Sequence, residues 1–196
     1  MKRLIVLRHG ETEWSASGRH TGRTDLALTP DGERKARLLG QRLVHFGIQP
    51  VRVLSSPRQR AVNTALFAGL DQHPIEETEL LAELDYGDFE GKTTQEIRAA
   101  NPSWTLFRDG CPGGEPIEAA GRRADELLAQ VAPEDGNGDV ALVGHGHFSR
   151  ILGARYLSLD ASAAQGLALS TASLSILAHE HEWRAMWLWN HEPGLQ

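Results

Sequence analysis

Three stretches of this chain place cations, imidazoles and glycines directly after an apolar run. Leu4-Ile5-Val6-Leu7 leads into Arg8-His9-Gly10. Val51–Leu54 leads into Ser55-Ser56-Pro57-Arg58-Gln59-Arg60. Val140–Val143 leads into Gly144-His145-Gly146-His147. Each run reads as a short buried strand. If the strands are parallel, the three polar segments share one edge of a sheet, where ligands bind in open α/β folds. Guanidinium forks, backbone N–H groups and helix N-termini gathered at one edge suit a phosphate.

A neutral imidazole is a competent nucleophile toward phosphorus. Arg8 beside His9 disfavours a second positive charge and is expected to lower the histidine pKa. His145 can then stabilise phosphoryl oxygens. Arg58 and Arg60 both fall in the first turn of a helix, where cations oppose the macrodipole. Residues two apart on a helix point in nearly opposite directions, so one of the two faces the pocket, and spacing does not say which. Releasing an alkoxide and later activating water requires an acid that becomes a base. Glu79, Glu83, Asp85, Asp88 and Glu90 are the candidates, and composition does not choose among them.

Metal chemistry is not expected. His145-Gly146-His147 and His179-Glu180-His181 are His-x-His pairs, but no His-Glu-x-x-His and no cysteine cluster accompany them. A P-loop and a Gly-x-Ser-x-Gly elbow are also missing from the sequence.

The positioning elements follow from periodicity and end signals. Thr29-Pro30-Asp31 starts a helix through Ala36, Leu39 and Leu43, with Gly47 as its stop. Ser56-Pro57 is expected to open a second helix in the same way. Residues 76–89 hold a short strand and a loop. Thr94–Ala100 and the amphipathic Ile117–Val131 read as helices, and 135–138 as a turn. A further helix follows Gly146 to about Leu157. Ser173–Leu177 and Trp187–Trp189 read as two late antiparallel strands, with Trp183, Trp187 and Trp189 on one face against a helix. Residues 15–28 are expected to be loop. The resulting fold class is α/β, a three-layer α/β/α sandwich with a mostly parallel central sheet and an antiparallel edge strand.

The 196 residues are expected to form a single domain over 1–196, with a lid-like excursion over about 80–115. A single cysteine, Cys111, excludes an intrachain disulfide and fits a reducing, cytoplasmic setting. No apolar run is long enough to span a membrane. The formal net charge of −6 argues against nucleic acid and anionic membranes as partners, though not against a small anionic substrate. A late edge strand leaves room for a homodimer.

With these residues in view, the chain resembles the histidine phosphatase superfamily, also called phosphoglycerate mutase-like, over nearly its whole length. The signature stretch is Leu7-Arg8-His9-Gly10-Glu11-Thr12. The second arginine motif is Ser55–Ala61, where the resemblance selects Arg60. The acid motif is Leu81–Gly91, where it selects Glu83. Gly144-His145-Gly146-His147 supplies the second histidine, His145. The resemblance implies a phosphohistidine mechanism with no cofactor and no metal. His9 attacks phosphorus, Arg8, Arg60 and His145 hold the phosphoryl group, and Glu83 serves as acid and then base. The substrate would be a small phosphorylated metabolite. The loop 14–25 and His147-Phe148-Ser149-Arg150 are similar to a subgroup of acid phosphatases and sugar bisphosphatases. They make Ser15, Thr21, Gly22 and His147 substrate-contact candidates. The compact span from Gly91 to His145, with one adjacent arginine pair at Arg122-Arg123, favours a phosphatase. The alternatives are a cofactor-dependent phosphoglycerate mutase and a non-catalytic phosphate-binding module.

Overall fold

The computed structural model describes residues 3–131 and 138–194. The expected turn at 135–138 lies mostly outside them. The strands are β1 (Leu4–Arg8), β2 (Pro50–Ser55), β3 (Ile75–Glu77), β4 (Asp139–Gly144), β5 (Leu174–Glu180) and β6 (Trp183–His191). The helices are α1 (Glu13–Ala16), α2 (Pro30–His45), α3 (Gln59–Phe67), α4 (Thr94–Ala100), α5 (Leu106–Asp109), α6 (Ile117–Val131) and α7 (Gly146–Tyr156). The sheet order is β3-β2-β4-β1-β5-β6. The first four strands are mutually parallel, β5 runs against β1, and the edge strand β6 runs against β5.

Alternation along β1 builds the layers. Leu4 and Val6 face a core shared with Leu142 of β4 and with Leu127 and Ile151 of α6 and α7. Ile5 and Leu7 face the opposite core, with Leu39 of α2 and Ala61 and Ala65 of α3. Arg8 pairs with Gly144, and Ser55 pairs with Val143. The three motif-bearing strands therefore end level with one another, as expected from sequence. Residues 80–115 are anchored in the first of these cores through Leu81, Leu84, Tyr86, Ile97, Trp104, Leu106 and Phe107.

Four local expectations change. Residues 13–16 form a short helix, because Thr12 and Ser15 make a reciprocal capping box. Ser56-Pro57 does not open α3. Arg58 is the N-cap, and the Ser56 hydroxyl is drawn to His145 instead. The start of β2 is not buried, and Val51 is 56% exposed. The three tryptophans do not share a face. The β5–β6 pairing shifts register around Ile176, so Met186 and Trp189 both reach Gly153 of α7 while Trp183 and Trp187 stay exposed. The four-residue α5 carried too few residues to show a period.

The loop after His9 is pressed onto the start of α2. Thr29 caps the Gly32 N–H at 3.0 Å, and its own N–H donates to the Glu11 carbonyl at 2.9 Å. A Cβ on Gly32 would lie 2.2 Å from the Glu11 carbonyl oxygen, and one on Gly10 would lie 2.5 Å from the Gly32 carbonyl oxygen. Gly32→Ala gains roughly 1 kcal/mol of helix propensity but forces a backbone shift costing about 1–3 kcal/mol. The melting temperature is expected to fall. An unchanged or raised value would count against this close approach.

Candidate active site

β1 delivers Arg8 and His9 to the carboxyl edge of the sheet. The His9 N–H donates to the Gly144 carbonyl at 2.9 Å, and the His9 carbonyl accepts from Ala172 at 2.9 Å. Ala172 reaches that position with φ of 52°, a left-handed conformation costing an alanine about 1–2 kcal/mol. His9 as a residue is 5% exposed. Its Nδ1 lies 2.6 Å from the Gly10 carbonyl oxygen. A carbonyl only accepts, so Nδ1 carries the proton, and the neutral ring keeps a lone pair on Nε2. Burial pushes the His9 imidazole pKa well below the usual histidine value. Arg60 and then Arg8 add to the push, and the Gly10 hydrogen bond opposes it. The direction is the one expected from sequence. The leading cause is burial rather than Arg8, and Arg60 outranks Arg8.

Arg60, in the first turn of α3, is fully buried. Its guanidinium donates to the carbonyls of Thr24 at 2.8 Å and of Thr21 and Gly22 at 3.1 Å. Nε donates to His145 Nδ1 at 3.3 Å. The Asp25 carboxylate stands 4.0 Å away. Arg58 turns outward to Glu79, at 3.7 Å. The structure thus resolves which arginine of the pair faces inward.

His145 has the opposite tautomer to His9. Its Nδ1 accepts from Arg60, so Nε2 carries the proton and donates to Ser56 Oγ at 2.7 Å. The two rings meet edge-on, with centroids 5.1 Å apart. Burial, followed by Arg60, holds the His145 pKa well below the usual range. Arg8 donates through Nη1 to the Leu169 carbonyl at 2.5 Å, while its Nε is buried without a protein partner. A Cβ on Gly146 would lie 3.1 Å from Arg8 Cζ, so the glycine lets the guanidinium lie against the start of α7.

Among the five acidic candidates, Glu83 alone lines the cavity that His9 and Arg8 face. Its Oε1 accepts from Leu84 N at 3.0 Å and Phe148 N at 2.8 Å, and Oε2 accepts from His147 N at 3.0 Å. Two of these amides belong to the first turn of α7, whose N–H groups lack intrahelical acceptors. Three of the other four have separate work. Glu90 accepts from Gly22 N and Thr24 N, Asp85 pairs with Arg23 at 2.6 Å, and Glu79 sits by Arg58.

The cavity is about 240 Å³. Ser15, Thr21 and His147 line it, as expected, but Gly22 does not. The Gly22 carbonyl accepts from Arg60, and a Cβ there would strike the Leu84 carbonyl at 2.3 Å, so its role is close backbone approach. Arg60 and His145 stand behind His9 rather than in the wall. Sequence reasoning missed Arg19, His20, Tyr86, Thr94 and Leu169 as wall residues. Tyr86 lay inside the acid motif, and Arg150, another wall residue, lay inside the second histidine motif. Leu169 carried no signal. His147 bonds to Tyr86 through Nδ1 at 2.6 Å, and burial, then Arg150, lowers its pKa well below the usual value. Among the described residues, no three His, Cys, Asp or Glu side chains are grouped to hold a metal ion.

Residues 4–192 match the histidine phosphatase superfamily, branch 1. This chain belongs to that superfamily. It is 43% identical to an acid phosphatase of Mycobacterium tuberculosis over 91% of this chain and 87% of the relative. It is 32% identical to sedoheptulose 1,7-bisphosphatase of Saccharomyces cerevisiae over 80% of this chain and 68% of the relative. A solved structure of an open-reading-frame product of Mycobacterium tuberculosis superposes with a TM-score of 0.92 at 41% identity, covering 98% of each chain. The topology is that of the histidine phosphatase structures it matches.

Two buried neutral histidines and the half-buried His147 tie stability to pH. His9, His145 and His147 all have folded pKa values below the unfolded one. The unfolded chain therefore binds more protons in acid. The stabilisation is complete above about pH 6.5 and is lost as pH falls toward the folded values, at up to about 1.4 kcal/mol per pH unit for each ring. Urea midpoints are expected to drop between pH 7 and pH 5. His145→Asn should reduce that slope by about one proton. An unchanged slope would contradict the neutral assignment of His145.

Proposed function

We propose that this protein hydrolyses small phosphomonoesters through a phosphohistidine on His9 Nε2. The observation that carries the reading is the Nδ1–Gly10 carbonyl bond, which leaves Nε2 unprotonated inside a cavity walled by Arg8 and Glu83. In the first step the Nε2 lone pair bonds to phosphorus. The bond from phosphorus to the ester oxygen breaks, and that oxygen takes a proton from Glu83. In the second step water attacks phosphorus and gives its proton to Glu83, and the P–N bond breaks to release phosphate. Of the two Glu83 oxygens, Oε1 accepts two amides and Oε2 one, so Oε2 is the oxygen with room for the proton.

Arg8 Nε, which lacks a protein partner, supplies a donor to the phosphoryl oxygens. Arg60 adds positive potential from behind, and the neutral His145 contributes its Nε2–H, a further donor now held by Ser56. Such fixed groups act most strongly where charge develops in the transition state. A cavity of about 240 Å³ suits a small phosphorylated metabolite. Ser15, Thr21 and His147 are the contacts for its remainder. The names of two relatives, an acid phosphatase and a sedoheptulose 1,7-bisphosphatase, agree with this reading. Within one domain over residues 1–196, segment 80–115 contributes Glu83, Tyr86 and Thr94 to the wall. A cytoplasmic location accompanies this proposal. Among the described residues no helix is long and apolar enough to cross a membrane.

His9→Ala is expected to abolish turnover of an aryl phosphate and to eliminate an acid-labile phosphoenzyme trapped by rapid quench. Retained turnover would end the proposal. Glu83→Gln should slow hydrolysis of alkyl phosphates by about 10²–10⁴-fold. Because the His9 pKa of the free site is lowered, the ring stays neutral as pH falls, and the acid limb of the kcat/KM profile due to His9 should lie below about pH 6.5. A limb at or above that pH would contradict the assigned environment.

A further inference from the structure

Arg123 lies on α6, outside the cavity wall, and no step described so far uses it. Its Nη1 donates to the carbonyls of Leu80 at 3.0 Å and Ala82 at 2.7 Å. Nε and Nη2 form a two-pronged pair with Glu115, at 2.9 and 2.7 Å. The guanidinium carbon also stacks 4.0 Å from the centroid of the Phe148 ring. Both partners of the ion pair are largely buried, 17% and 18% exposed. Each contact leads to Glu83. Leu80 and Ala82 are the backbone that carries it. Phe148 supplies one of the amides that hold its carboxylate. The Glu115 N–H donates to the Asp85 carbonyl at 2.8 Å, which ties down the far side of the same loop.

We infer that Arg123, oriented by Glu115, is a positioning residue that sets the Glu83 carboxyl at its distance from the leaving oxygen. The inference rests on the reading of Glu83 as proton donor. One planar guanidinium meets two carbonyls, one carboxylate and one ring face. A lysine can supply the charge but not the fork and the stack together. Without this anchor the loop is still held by Leu81, Leu84 and Tyr86 in the core, so the fold has support independent of Arg123. The carboxyl, however, loses the contacts that set its place relative to the α7 amides.

The test separates placement of the acid from loss of folded enzyme. A nitrophenolate leaves without a proton, whereas an alkoxide does not. The quantity kcat/KM reports only the steps up to formation of the phosphoenzyme. For Arg123→Met, kcat/KM for glycerol 2-phosphate is expected to fall about 10- to 100-fold, with 4-nitrophenyl phosphate changing less than about 3-fold. Arg123→Lys should recover part of the alkyl activity. Equal losses on both substrates, or no loss on either, would overturn the inference, since fewer folded molecules lower both alike. Glu83→Gln is measured beside them. If it does not discriminate between the substrates, the assignment of the acid fails. If it does and the Arg123 variants do not, the positioning role alone fails.

Discussion

A guanidinium does not shed its proton at any pH a protein survives, so burying Arg8 and Arg60 beside His9 and His145 leaves the imidazoles to give way. Either ring, if protonated, would add a third buried positive charge within reach of the first two. That constraint reinforces burial, the larger cause, in keeping the His9 ring neutral. It holds only because the arginines are solvated without being neutralised. Arg60 is met by main-chain carbonyls, and its nearest carboxylate is 4.0 Å away. Arg8 is met by a single carbonyl. Carbonyl dipoles lower the cost of burial while leaving the net charge for an anion to answer. A parallel sheet ending level at three adjacent strands is a ready source of such main-chain groups.

The carboxyl group in the cavity wall belongs to a different part of the molecule and obeys a different rule. Glu83 gathers amides, not cations, at the first turn of α7, the helix that also begins beside His145. The same turn therefore serves both halves of the site, and Gly146 is the contact that lets Arg8 approach it. His9 and His145 carry their protons on opposite nitrogens because one meets an acceptor and the other a donor at Nδ1. That asymmetry leaves the lone pair on Nε2 of one ring and Nδ1 of the other, with the ring centroids 5.1 Å apart.

Much of this was legible in the sequence where local chemistry and global fold agree. The strand ends at Leu7, Leu54 and Val143 are followed by residues a core would exclude, and the bounds of Thr94–Ala100 and Ile117–Val131 coincide with the observed helices. The motif resemblance selected Glu83 from five acids, and the cavity wall makes the same selection. What could not be read were tertiary claims on local groups. Ser56 carries the signature of a helix cap, yet His145, 89 residues away, takes its hydroxyl. Gly22 resembles a ligand loop, yet it serves backbone approach to Leu84. Leu169 enters the wall only because its carbonyl meets Arg8. The tryptophans kept a period of two in sequence, and the register shift in the β5–β6 pairing displaced it in space.

The three carbonyls that receive Arg60 come from Thr21, Gly22 and Thr24, in the same loop whose Thr21 side chain lines the cavity. A loop that lines the cavity is thus wired to a cation that lowers the His9 pKa. Selectivity and intrinsic reactivity are not separate modules here. Transplanting this segment from a relative to re-aim the enzyme would also reset the basicity of its imidazole, so exchanged loops would trade one property against the other unless those main-chain oxygens kept their places.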